Sequence, residues 1–181
     1  MRAPLGMDGE HAALNSRAGR CVAALTGSGL TIATAESLTG GLLAGALTSV
    51  PGASEVVRGG VVSYALDIKA DVLGVPRQLL EDQGAVSADT ALAMADGARR
   101  VTAADFGVAT TGVAGPDPSE GKPVGTVFVA VTAGPGLRAR ESGRAVRALT
   151  LRGSREEIRQ QTVESALDLV LEVVSGSELA R

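Results

Sequence analysis

Cysteine, histidine, lysine and aromatic residues are all scarce in this 181-residue chain, and each scarcity removes a class of chemistry. The one cysteine, Cys21, excludes an intramolecular disulfide and a cysteine-based zinc site. The only histidine, His11, lies in a polar N-terminal stretch, where a Ser-His-Asp or Cys-His triad is not expected. Tyr64, Phe106 and Phe128 are the only aromatics, too few for a base-stacking platform. A net charge of −3 supplies no basic face for nucleic acid or anionic lipid. No apolar run approaches the roughly 18 residues of a membrane span, and residues 1–10 lack the apolar core of a signal peptide. The expectation is a cytoplasmic protein with no nucleic-acid partner, no membrane partner and no metal.

What is present reads as one domain. Residues 1–10 are expected to be a flexible N-terminal extension, 11–175 a single domain, and 176–181 a tail. The pattern predicts helices over 12–27, 39–50, 87–101 and 154–174, with a short helix through Lys69. It predicts strands over 30–35, 60–64, 106–111, 124–131 and 145–151. Strands separated by helices imply an α/β layered sandwich with a largely parallel sheet, whose ligands bind beyond the carboxyl ends of the strands. The segments following the first three strands therefore carry the argument.

Ala35-Glu36-Ser37-Leu38-Thr39-Gly40-Gly41 takes the first strand into a helix. Its glycines let a ligand approach the backbone, and the free N–H groups of the helix start favour a phosphate or an oxyanion. Ser37 or Thr39 serving simply as a helix cap explains the same residues. Ser63-Tyr64-Ala65-Leu66-Asp67-Ile68-Lys69 follows the second strand and holds the sole tyrosine and one of only two lysines, against 15 arginines. Lys69 is a candidate base for Ser37, with Tyr64 in the relay; a surface lysine and a half-exposed tyrosine are the plainer alternative. An unperturbed lysine is only about 0.04% neutral at pH 7, so such a base requires burial. The Gly/Pro-rich loop from Thr111 and Gly112 through Lys122 to Thr126 matches neither a P-loop nor a dinucleotide fingerprint, yet can offer backbone donors. Arg155, in Gly153-Ser154-Arg155-Glu156-Glu157-Ile158-Arg159, opens the last helix and can meet a phosphate or carboxylate, while Arg159 reads as solvated.

Five ordered motifs, AESLTGG (35–41), GGVVSYALDIK (59–69), GAVS (84–87), TTGVAGPDPSEGKPVGTV (110–127) and GSREEIR (153–159), together resemble the CinA C-terminal domain family of nicotinamide-nucleotide amidases. The resemblance covers residues 20–175 or so. It implies a three-layer α/β/α sandwich with a mixed, mostly parallel five-stranded sheet. The implied activity is hydrolysis of the carboxamide of nicotinamide mononucleotide to nicotinic acid mononucleotide and ammonia, without a cofactor. By the same resemblance the nucleophile falls on Ser37, its partners on Tyr64 and Lys69, a third-strand hydroxyl on Thr111 and a motif arginine on Arg155. Backbone N–H groups at Gly40 and Gly41, or in the Gly112–Gly115 loop, are the expected oxyanion donors, with Thr39 beside them. The family's usual cysteine after the motif serine is Leu38 here, leaving no thiol beside Ser37. SYALDIK replaces TYSNEAK, GSR replaces glycine-Asp-Arg, and Pro118-Ser119 is inserted in the pocket loop. A nucleotide-binding module without useful turnover, or an amidase for another small carboxamide, are the alternatives, and a homodimer is a further expectation.

Overall fold

The computed structural model describes residues 16–135, 137, 138, 143–176, 178 and 179. His11, Leu14 and the proposed N-terminal extension lie outside the described residues. Helix α1 (Arg17–Ser28) is capped by the Ser16 hydroxyl, which accepts from Gly19 N, and it ends on the left-handed Gly29. Strand β1 (Ile32–Glu36) leads to helix α2 (Leu42–Thr48), and a single 3-10 turn (Ala53–Glu55) precedes strand β2 (Val57–Val62). Helices α3 (Leu66–Asp71), α4 (Arg77–Gln83) and α5 (Ala88–Thr102) follow, the last capped by Ser87 as its sequence predicts. Strands β3 (Phe106–Gly112), β4 (Thr126–Ala133), β5 (Leu137–Arg138) and β6 (Arg144–Thr150) lead to helix α6 (Arg155–Ser175) and strand β7 (Glu178–Leu179).

The main sheet has the order β2-β1-β3-β4-β6. The β1–β2 and β1–β3 ladders are parallel, and β3–β4 and β4–β6 are antiparallel. The sheet is thus less parallel than expected: four strands share one direction, yet half of the main ladders are antiparallel. The cause lies in the connections, since a parallel neighbour needs a crossover, usually helical, and among the described residues no helix separates β3, β4 and β6.

Alternation along the strands sorts the two faces. Ile32, Phe106, Val108, Val127, Val129 and Val131 pack under α1, α2 and α6, which bury Leu25, Leu43, Leu47, Ile158 and Val170 against them. The opposite face is small: Ala33, Ala35, Ala109 and Ala130 meet Ala91, Met94, Ala95 and Ala98 of α5, with Leu73 and Val75 beyond α3. The alanines let α5 press so close that a Cβ on Gly107 would fall 1.9 Å from the Ala95 carbonyl oxygen. Helices on both faces complete the three-layer α/β/α sandwich. No helix among the described residues is long and apolar enough to cross a membrane.

Two shifts against the predicted boundaries matter for function. β2 occupies 57–62 rather than 60–64, because its parallel register aligns Val57 with Ile32 and Val62 with Glu36. Ser63 and Tyr64 consequently leave the sheet, and their carbonyl groups are free for another donor. Helix α4 has no counterpart among the sequence expectations, although Pro76 at its start carries the local signal.

Candidate active site

Parallel β1, β2 and β3 all end at the same edge of the sheet, so Ser37, Ser63 and Val113, the residues following each, converge there. The chain leaves β1 for α2 on one face and β2 for α3 on the other, and a crevice opens between these exits. It has a volume of about 260 Å³ and is lined by Ser37, Leu38, Tyr64, Lys69, Glu120 and Arg155, among others.

Lys69 is the centre of the site. Its side chain is buried, 1% exposed, yet carries an amine. Nζ donates to the Ser63 carbonyl oxygen at 2.5 Å and to the Tyr64 carbonyl oxygen at 3.3 Å, and lies 3.2 Å from Ser37 Oγ. Three neighbours suit either protonation state. An ammonium donates to all three oxygens, whereas a neutral amine donates to the two carbonyls and turns its lone pair to the Ser37 hydroxyl. Burial lowers the Lys69 pKa from 10.5 to about 8, while the Glu120 carboxylate pulls in the opposite direction. A base poised near neutrality, in contact with a hydroxyl, is the arrangement that activates a serine.

The turn bearing Ser37 is held from several sides. Buried Glu36 accepts from the N–H groups of Gly41 (2.9 Å), Leu43 (3.0 Å) and Ala44 (2.8 Å), so it caps α2 from the preceding strand. Ser37 N–H donates to Thr110 O at 2.9 Å, and Gly40 N–H donates to Ser37 O at 3.2 Å. From α6, Arg159 donates through Nε to Leu38 O (3.0 Å) and through Nη2 to Thr39 O (2.9 Å).

These contacts correct several sequence expectations. Gly40 and Gly41 cannot serve as oxyanion donors, because both N–H groups are already engaged, one by Ser37 O and one by Glu36. The α2 start is likewise closed to a phosphate by the Glu36 carboxylate. Leu38 and Thr39 instead carry N–H groups without an acceptor among the described residues, directly beside the Ser37 hydroxyl. Thr39 is fully buried, its hydroxyl sharing a 2.6 Å hydrogen bond with that of Thr110, so its side chain is structural. Thr111 is also buried, and its hydroxyl donates to Ala85 O at 2.6 Å; it holds the pocket wall rather than lining it. Tyr64 meets Lys69 through its carbonyl, while its exposed phenol accepts from Arg155 Nη2 at 3.0 Å.

Arg155, the first residue of α6, also donates to Gly115 O at 2.7 Å and so spans the pocket mouth. Ser154 caps that helix in a reciprocal capping box with Glu157, whose pKa is lowered by the Ser154 backbone hydrogen bond. Gly112 lines the pocket as expected, as do Val113, Ala114 and Gly115. Lys122 stands apart from the crevice, donating to Gln83 O at 3.3 Å.

Sequence reasoning missed Glu36, Arg159 and Glu120. Glu120 and Gly121 have φ of +50° and +70° between Ser119 and Lys122, which exchange backbone hydrogen bonds of 3.1 and 2.8 Å. Two positive φ values at the centre of such a turn are what a type I′ hairpin requires. The turn swings the Glu120 carboxylate onto the N–H groups of Ala85 (3.1 Å) and Val86 (3.3 Å). Gly84 is the space for it, since a Cβ there would stand 2.4 Å from Glu120 Oε2. The Glu-Gly dipeptide was the readable signal.

Fold and site together define a three-layer α/β/α domain with a serine beside a buried lysine at the carboxyl edge of its sheet. The family model for the CinA C-terminal domain matches residues 14–174, and the chain belongs to that family. It is 54% identical over 146 residues to a CinA-like protein of Frankia casuarinae, covering 81% of this chain and 32% of that protein. A CinA-like protein of Gloeobacter violaceus is 47% identical over 172 residues, covering 94% of this chain and 39% of that protein. The chain thus spans about a third of the length of these curated relatives, 32% of one and 39% of the other. Among solved structures, the competence/damage inducible protein CihA from Agrobacterium tumefaciens superposes with a TM-score of 0.80 at 42% identity, covering 96% of this chain and 99% of that one. A CinA superfamily protein from Klebsiella pneumoniae gives a TM-score of 0.81 at 30% identity, covering 88% and 96%.

Proposed function

We propose that this domain is a metal-independent amidase that hydrolyses the carboxamide of nicotinamide mononucleotide to nicotinic acid mononucleotide and ammonia. The observation that carries the reading is the 3.2 Å approach of Ser37 Oγ to the buried Lys69 amine, whose pKa is about 8. Neutral Lys69 takes the hydroxyl proton as Ser37 Oγ bonds to the carboxamide carbon. The carbonyl oxygen becomes an oxyanion, met by the N–H group of Leu38 at the crevice wall. The C–N bond then breaks, with Lys69 returning the proton so that ammonia departs. Water, deprotonated by the same amine, attacks the Ser37 ester and releases the carboxylate and the free serine.

A phosphorylated substrate is supported by the cationic Arg155 at the pocket mouth, on the opening turn of α6. Tyr64 orients that guanidinium through its phenol and does not relay the proton. The test is ammonia release from nicotinamide mononucleotide, with free nicotinamide as the phosphate-free control. Turnover of the nucleotide alone, abolished in Ser37→Ala and Lys69→Ala, is expected. Folded wild type that binds the nucleotide without releasing ammonia would leave a binding module instead.

A further inference from the structure

Arg159 lies one helical turn beyond Arg155 on α6, does not line the crevice, and is half-buried. The neighbouring Ile158 is 1% exposed, in the core. The Arg159 guanidinium donates to two main-chain oxygens of the turn that carries Ser37: Leu38 O at 3.0 Å and Thr39 O at 2.9 Å. A Cβ on Gly40 would stand 3.5 Å from Arg159 Nη2, so the guanidinium lies close against the turn.

Peptide planarity converts this clamp into a statement about the opposite side of the chain. In a trans peptide the C=O and N–H point in opposite directions. The oxygen of the Leu38–Thr39 peptide is held by Arg159, and the N–H of that same unit is the unpaired one of Thr39. The oxygen of the Ser37–Leu38 peptide is held by Gly40 N–H, and its N–H is the unpaired one of Leu38. Two consecutive peptides are therefore anchored by their oxygens; Leu38 lines the crevice whereas Thr39 is fully buried, so Leu38 N–H is the donor available to an anion, and Arg159 fixes the peptide that follows it.

We propose that Arg159 is a positioning residue that holds the Ser37 turn, and with it the Leu38 N–H of the oxyanion site, through its bonds to Leu38 O and Thr39 O. It touches no reacting atom. The inference rests on Ser37 being the nucleophile, as the proposed function has it. Losing an oxyanion donor outright costs about 100- to 1000-fold in kcat, and Arg159 acts at one remove, so Arg159→Ala should lower kcat about 10- to 100-fold. KM should stay within about twofold, because the donor tightens only on the developing charge. Arg159→Lys, with one ammonium for two carbonyls, should fall between.

The experiment measures kcat and KM for wild type, Arg159→Ala and Arg159→Lys on nicotinamide mononucleotide and on p-nitrophenyl acetate, with Ser37→Ala as the blank. Guanidinium ion at low millimolar concentration is added to Arg159→Ala, and recovery of kcat is expected, which a general loss of folding would not give. A kcat within about threefold of wild type, or a joint loss of kcat and KM that guanidinium does not restore, overturns the proposal. The ester separates the two readings. Wild type that shows Ser37-dependent release from the ester but none from the nucleotide overturns the substrate assignment alone, and the Arg159→Ala rate on the ester then decides the inference. A wild type without Ser37-dependent reaction on either overturns both.

Discussion

Replacing Lys69 by methionine isolates what its amine does. Methionine keeps a long unbranched side chain and removes the charge, the donors and the lone pair. With a pKa of about 8, about 9% of Lys69 is neutral at pH 7, against about 0.03% for a lysine at 10.5, a gain of roughly 300-fold in available base. Wild-type kcat/KM should rise about tenfold per pH unit below 8 and level above it, and Lys69→Met should lose at least about 1000-fold throughout. Stability gives an independent reading. Because the folded pKa lies below the unfolded one, the folded state resists the proton that the unfolded chain holds between pH 8 and 10.5. Burial therefore costs stability, fully below pH 8, by about 3 kcal/mol, and the penalty lifts as pH rises toward 10.5. From pH 7 to 9.5 the wild type should gain about 2 kcal/mol relative to Lys69→Met, whose other groups titrate alike. At pH 7 the variant escapes the penalty but strands two carbonyl oxygens, each costing about 1–3 kcal/mol, so the two proteins should be of comparable stability. Denaturant unfolding at pH 7, 8, 9 and 9.5, alongside rate profiles, provides the comparison. A difference in stability that stays flat across this range would refute the lowered pKa. Activity within tenfold of wild type would refute the role of the amine.

Three other substitutions test the frame. Glu36→Gln, which turns an acceptor-only carboxylate facing three N–H groups into a group with its own donors, should destabilise by about 1–3 kcal/mol in thermal or chemical unfolding. Arg155→Ala should raise KM for the phosphorylated substrate about tenfold or more, with kcat within about threefold and no change for p-nitrophenyl acetate. Gly107→Ala forces a Cβ against the Ala95 carbonyl and should cost about 3 kcal/mol, visible as a lowered Tm with substrate KM unchanged in the protein that still folds.

The alternation of apolar strands and helices carried most of the architecture, because burial on both faces leaves continuous apolar runs at Ile32–Ala35 and Phe106–Ala109. Scarcity makes Lys69 a candidate base for Ser37, but a surface lysine and a helix-capping serine explain the same residues until the five ordered motifs are set together. Strand direction was harder: the absence of helices among β3, β4 and β6 was visible, but its consequence for β4 depends on tertiary pairing. Gly40 and Gly41 resemble phosphate-binding glycines because local sequence shows their N–H groups and not the buried Glu36 that occupies the α2 start. Arg159 stood as a solvated arginine because its partners are 121 and 120 residues away. Contacts to main-chain oxygens leave no residue type on the partner side to read.

The reversal of β4 has an evolutionary consequence. As the partner of β3 in an antiparallel ladder, β4 begins at the very edge where β3 ends, so residues 113–125 form a loop with both stems pinned by the ladder from Gly112↔Val127 inward. Loop closure entropy grows slowly, about 0.6 kcal/mol per doubling of length, so residues can be gained or lost there at little thermodynamic cost. The Pro118-Ser119 insertion with its Glu120–Gly121 turn is one such variation, and it reshapes the pocket rim while Ser37 and Lys69 sit on other connections. Under the proposed function, substrate choice and bond-breaking machinery are thereby housed on separate segments of chain, and selection can retune one while the other stays still.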